Sequence, residues 1–189
     1  MPLSEPDYPR EHWHTRNVEC FGYRRGDGMW DIEGHIVDTK TYGFPNAARG
    51  EIQAGEPIHD MWLRLTLDDS YEIKAVEAVT DNGPFTICGD ITPRFQELVG
   101  LRIGPGWTRK VKERLGGVHG CTHLVELLGP IATVSYQTIA PGQARLAREA
   151  GKRPTVSKTR PRHLGSCHAL RLDGPVVKES WPDWYTGSD

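Results

Sequence analysis

The chain has 189 residues, 25% charged and 37% hydrophobic, which suits one compact domain with a core of ordinary size. Its net charge of -2 offers no bulk attraction to nucleic acid or an anionic membrane, so neither is expected as a partner. With no long apolar run and a start, MPLSEPDYPREHWH, that is neither basic nor apolar, the expected location is cytoplasmic.

Residues 1–15 lack periodicity and read as an arm, with a domain expected over 16–140 and a basic linker and tail over 141–189. Val18 to Tyr23 and Trp30 to Asp38 read as two strands around Arg25-Gly26-Asp27-Gly28, where Asp-Gly is a hairpin signal. In the second strand Trp30, Ile32 and Ile36 take one face and Asp31, Glu33 and His35 the other. Residues 39–56, rich in glycine, read as a long loop. Met61 to Asp68 alternates cleanly, and after Asp68-Asp69-Ser70 the pattern continues through Tyr71 to Thr80. An antiparallel meander is expected.

After Asn82-Gly83-Pro84 the period changes. Thr92-Pro93 reads as an N-cap with proline at N1, opening a short helix through Val99. Trp107 to Leu115 reads as a basic helix ended by Gly116-Gly117. Thr122 to Gln137 reads as a third helix, with Leu124, Leu127, Leu128, Ile131 and Val134 on one side and a kink at Pro130. Strands followed by helices give an α+β fold with a helical layer over one sheet face. The basic run KRPTVSKTRPRH reads as a solvated linker or an anion-binding segment, and Trp181, Trp184 and Tyr185 either lid a pocket or dock the tail.

No short motif for a zinc ribbon, zincin, P-loop, dinucleotide fold or serine hydrolase is present. The chemistry must come from scattered residues. Cys121 stands just before the Thr122 helix start, where the helix dipole favours a thiolate, and His123 lies in the first turn. They read either as a reactive pair or as a small buried thiol beside a capping histidine. Cys88 lies just upstream of the Thr92-Pro93 helix start and His59-Asp60 precedes a strand. If these entries share one end of the sheet, His59, Cys88, Cys121 and His123 converge. Thiolate and imidazole suit zinc, but the residues lack the paired spacing of structural sites. Asp31, Glu33, His35, Asp38, Lys40 and Arg64 form either a wet sheet face or an ionisable pocket wall, and Thr122, Glu126, Thr133 and Gln137 either the wet side of the long helix or the facing wall.

Asp31-Ile-Glu-Gly-His-Ile-Val-Asp-Thr-Lys40, the His59-Asp60-Met61 entry and Gly120-Cys-Thr-His-Leu124 resemble a bacterial family known as a domain of unknown function, over about residues 16–140. The order His59-Asp60, Cys88, Cys121 also resembles NifU-type and SufU-type iron–sulfur scaffolds, although those open with Cys-Gly-Asp where this chain has His59. Within the first family the chain is similar to bacterial γ-formaldehyde lyases acting on phenylcoumaran-type lignin fragments.

That resemblance implies a carbon–carbon lyase that uses acid–base catalysis, without cofactor or metal, on an aromatic small-molecule substrate. The reaction opens an aryl ether para to a phenol, expels a hydroxymethyl carbon as formaldehyde and leaves a stilbene. His59, His123, Tyr23, Lys40 and Arg64 are the expected catalytic residues. One histidine is base toward the hydroxyl, Tyr23 or the other histidine assists the leaving oxygen, and Lys40 or Arg64 favours phenolate. His35, Glu126, Trp62 and Cys121 are the expected substrate contacts. A metal-binding or iron–sulfur scaffold and a noncatalytic small-molecule binding module are the alternative expectations, and self-association is left open.

Overall fold

In the computed structural model, which describes residues 3–152, 159–161 and 163–188, strands β1 (His14–Arg24) and β2 (Trp30–Lys40) pair antiparallel along their whole lengths. β1 therefore begins inside the expected arm, because β2 runs on to Lys40 and supplies a partner for His14. The short strands β3 (Phe44–Asn46) and β4 (Gly50–Ile52) form a hairpin within the expected loop. β5 (His59–Leu67) pairs with the far side of β2, and β6 (Ile73–Asn82) completes a four-stranded antiparallel sheet in the order β1-β2-β5-β6. His59 and Asp60 open β5 rather than preceding it. With its helices this is an α+β fold.

Side chains alternate across the sheet with period two. On β2 residues 30, 32, 34, 36 and 38 are buried and those between are half-buried. Asp38 thus shares the covered face with Trp30, Ile32 and Ile36, not the open face of Asp31, Glu33 and His35. On β5 Met61, Leu63, Leu65 and Leu67 are buried on that same side.

Helix α1 (Trp107–Leu115) has the expected bounds, and Trp107, Val111 and Leu115 bury its inner stripe. Helix α2 (Thr122–Glu149) starts where expected but continues past Gln137. Leu124, Leu127, Leu128, Ile131 and Ile139 are buried beneath it, each contributing roughly 1.5–3 kcal/mol of transfer free energy. Ser135, rather than Val134, is the fully buried residue of the turn between, its hydroxyl donating to the Ile131 carbonyl at 2.7 Å. The expected helix from Thr92 is instead part of a 3-10 run over Thr86–Leu98. The run begins six residues earlier than Thr92, whose hydroxyl donates back to the Gly89 carbonyl within it.

Two glycines let α2 lie close on the sheet. A Cβ on Gly34 would stand 2.9 Å from Ile131 Cδ1, and one on Gly22 would stand 2.0 Å from Thr138 Oγ1. Gly142 rests against the Trp30 ring and His123 approaches Asp38, so α2 runs antiparallel to β2. From residue 123 to 142 a helix rises about 28 Å, and from 38 to 30 a strand spans about 27 Å. This match places the first turn of α2 at the Asp38 end of β2. At the other end Tyr71, at φ 68° in the β5–β6 turn, packs on the Tyr136 ring at a 35° tilt with centroids 4.7 Å apart.

Residues 1–145 and 146–189 form separate compact units. In the second, α3 (Pro175–Ser180) buries Val177, His163 meets Trp181 edge-on and Lys178 lies over the Tyr185 ring. Much of the basic run of 152–163 lies outside the described residues. Among the described residues no helix is long and apolar enough to cross a membrane.

Candidate functional site

Antiparallel register sets Arg16, Asp38 and His59 side by side across β1, β2 and β5. All three face α2, whose first turn brings His123 and Glu126 from above. His14, two residues before Arg16, completes the ring. The Asp38 carboxylate is buried, and every nitrogen that meets it at hydrogen-bond distance is a donor. Arg16 grips it with both prongs, Nε to Oδ1 and Nη2 to Oδ2, each at 2.8 Å. His14 Nε2 reaches Oδ1 and His59 Nδ1 reaches Oδ2, each at 3.0 Å. Four donors satisfy the lone pairs of a carboxylate that burial alone would otherwise penalise.

Burial pushes the Asp38 pKa up, but the Arg16 and His14 hydrogen bonds and the Arg16 charge outweigh it, and the group is held at about 2. Asp38 is therefore an anion throughout the neutral range. Accepting only, it takes the proton of His59 Nδ1 as a donor and leaves Nε2 with the lone pair. The His59 and His123 rings stack with centroids 3.6 Å apart. Burial lowers both imidazole pKa values; His123 adds to the effect on His59, and Arg16 to that on His123. His123 Nε2 stands 3.8 Å from Asp38 Oδ2, and its Nδ1 stands 3.9 Å from Cys121 Sγ. Glu126 pairs with Arg16 at 2.5 Å, so one guanidinium ties the buried aspartate to α2.

These shifts have one sign. A pKa lowered on folding means that the unfolded chain binds more protons, so stability falls as pH falls. The histidine contribution is present above the unfolded value of 6.5 and is lost as pH drops through the lower folded values. That of Asp38 is present above 3.8 and is lost toward about 2. His14, Arg16, Cys121 and Glu126 are the other titratable groups facing the pair. The unfolding midpoint is expected to hold above pH 6.5 and decline below it, with a shallower first decline in the His59→Gln/His123→Gln variant. Equal slopes in calorimetric scans would contradict this assignment.

His59, His123, Cys121 and Glu126 thus come together as expected candidates. Lys40 lies two residues beyond Asp38 on the same side of β2, with Nζ 5.1 Å from the Tyr42 ring centroid. The other expected residues lie elsewhere. Arg64 sits on the open sheet face, held by Glu33 and Glu77, and is not placed beside the histidines. His35 and Trp62 stack at 3.7 Å on that same face, where His35 pairs with Asp60. Tyr23 is paired in register with Asp31, also on the open face and toward the far end of the strands. Cys88 packs against Gly83 and contributes no atom to the cluster of Asp38, His59 and His123. Of the expected four, His59, His123 and Cys121 therefore meet while Cys88 does not, and Asp38 joins the two histidines. Arg16 and His14 are the residues that sequence reading left out of the site, and Asp38, read there only as part of a wet sheet face or pocket wall, is its centre.

Next to this ring the chain forms a groove of about 430 Å³ lined by Glu11, His12, Trp13, Thr41 and Tyr42. It lies where β1 begins and β2 ends, immediately beyond the His14–Lys40 pair. Trp13 and Tyr42 meet edge to face at 5.4 Å, and Tyr42 also contacts Phe44. A flat aromatic molecule suits such walls, with Lys40 as the nearby cation.

Against known proteins, residues 14–137 match the model of a family described as a protein of unknown function (DUF2889). No curated protein and no solved structure matches.

Proposed function

We propose that this chain, which belongs to the DUF2889 family of proteins of unknown function, is an acid–base lyase that releases formaldehyde from a phenolic, phenylcoumaran-type diaryl substrate. The supporting observation is the His59 imidazole fixed through Nδ1 on the buried Asp38 carboxylate, which makes Nε2 a base of defined tautomer. The aromatic groove at the same end of the sheet, with Lys40 nearby, supports a phenolic substrate.

In this reading Lys40 favours the phenolate. His59 accepts the proton of the γ-hydroxyl as the carbonyl of formaldehyde forms. The electrons of the carbon–carbon bond become the stilbene double bond, and the carbon–oxygen bond to the aryl group breaks. The aryl oxygen takes up the proton through the stacked His59–His123 pair, so the pair returns to its starting state. Tyr23 has no part in this scheme because it lies on the other sheet face.

The test is to incubate the full chain with a phenolic phenylcoumaran and its phenol O-methyl ether. Formaldehyde and stilbene are expected in equal amounts from the first and at a much lower rate from the second. No formaldehyde from either would end the proposal. Cys121 packs against Met61 Sδ at 3.8 Å, so Cys121→Ala is expected to keep measurable turnover while losing about 1 kcal/mol of stability. Complete loss of turnover in a folded Cys121→Ala protein would place the thiol in the chemistry.

A further inference from the structure

Asp38, His59 and His123 each offer a ligand atom, and these atoms all lie within 4.8 Å of one another. We infer that this cluster binds one divalent transition-metal ion of the zinc type through Asp38 Oδ2 and one nitrogen from each imidazole, and that the bound ion blocks proton transfer at the site. The blocking half rests on the lyase reading; the binding half does not.

The distances fit the chemistry. With bonds of about 2.0–2.2 Å, ligand atoms around a four- or six-coordinate zinc-type ion stand about 3.0–3.5 Å apart. Oδ2 stands 3.0 Å from His59 Nδ1, at the lower end of that range, and 3.8 Å from His123 Nε2, just beyond its upper end. The stacked rings, with planes 29° apart, open further about χ2 when both lone pairs aim at one ion. Two imidazoles and one carboxylate form a set suited to zinc, iron or cobalt, with positions left for water. Arg16, through Nε on Oδ1 and Nη2 on the ligating Oδ2, and His14 on Oδ1 act as outer partners that hold the carboxylate in place.

Metal at His59 Nδ1 takes the place of the proton now shared with Asp38, and the neutral ring then carries its proton on Nε2. No proton is gained or lost by the ring. The base of the proposed reaction is nevertheless gone, because Nε2 has no lone pair to accept the hydroxyl proton. Cys121 lies near His123 but is not part of the ligand set.

The experiment is a titration of the chelator-treated full chain with Zn²⁺ and Co²⁺ in the absence of substrate, followed by calorimetry and visible absorption. One ion per chain is expected, with a raised unfolding midpoint and a cobalt spectrum free of thiolate charge-transfer bands. His59→Gln/His123→Gln should weaken binding at least 100-fold, whereas His35→Gln on the open face and Cys167→Ser at an exposed free thiol should leave it unchanged. Absence of binding, equal binding by the folded double variant, or a thiolate band would overturn the site. If chelator-treated protein releases formaldehyde, Zn²⁺ should suppress release over the range in which it binds, and chelator should restore it; unchanged release at saturating Zn²⁺ would overturn the blocking role. If that protein releases none, the lyase reading and the blocking role with it fail, and the titration alone decides the metal site.

Discussion

Replacing Asp38 with asparagine is expected to lower turnover of the phenolic substrate by about 10²–10⁴-fold, chiefly in kcat. The amide keeps the shape of the carboxylate but removes its charge and presents a donor where His59 Nδ1–H now donates. The imidazole then favours the tautomer with its proton on Nε2, the atom that has to accept. The neighbouring His123 does not compensate, since it stands 3.8 Å from the same oxygen, beyond hydrogen-bond distance, and its Nδ1 meets only the Cys121 thiol. The effect should appear in kcat with KM nearly unchanged, because the groove of Trp13 and Tyr42 is untouched. An Asp38→Asn protein that folds and turns over at the parent rate would remove His59 orientation from the mechanism.

Arg16→Ala is expected to destabilise the fold by about 3 kcal/mol, the range for removing one partner of a buried ion pair. Asp38 has 1% of its side chain exposed against 33% for Arg16, so truncation leaves the aspartate buried with only two imidazole donors. The link to Glu126 on α2 disappears at the same time. For a chain of this size the midpoint should fall by about 6–12 °C. Arg16→Lys should recover only part of this, because an ammonium supplies charge without the two-pronged fork. Arg64→Ala is the matched control. Its partners Glu33 and Glu77 lie on the open face, where water replaces the lost contacts, and its cost should stay under about 1 kcal/mol. A midpoint for Arg16→Ala within 2 °C of that control, a margin of about 1 kcal/mol at most, would show that the row across the strands is not what stabilises this end of the sheet.

The period of two on β2 and β5 was legible because apolar residues mark it without interruption: Trp30, Ile32 and Ile36, then Met61 to Leu67. The same parity reaches Asp38, yet an aspartate reads naturally with its ionisable neighbours Asp31, Glu33 and His35 until its partners are known. Those partners are Arg16 and His14, brought in by a strand register that extends to His14–Lys40 and that no local pattern announces. Thr122 and its leucine stripe revealed where α2 starts. Its end was hidden because the residues from 141 onward read as a basic linker, while the helix continues through Pro141 to Glu149 with Gly142 against Trp30. Thr92-Pro93 misled for the opposite reason: a cap signal sits inside a 3-10 run already begun at Thr86. His59 and His123 were legible as candidates from their positions at a strand start and a helix start. His35 and Trp62 carry equally suggestive chemistry but sit on the opposite face, a distinction visible only once α2 shows which face is covered.

The most direct measurement of the acid–base centre is the rate of formaldehyde release from a phenolic phenylcoumaran by the parent chain, His35→Gln and His59→Gln/His123→Gln, with folding verified for each. Both His35→Gln and the parent should release formaldehyde at similar rates, since the His35–Asp60 pair lies on the open face. The double variant should fall to the uncatalysed rate. Equal release by the double variant and the parent would contradict a centre built on Asp38, His59 and His123.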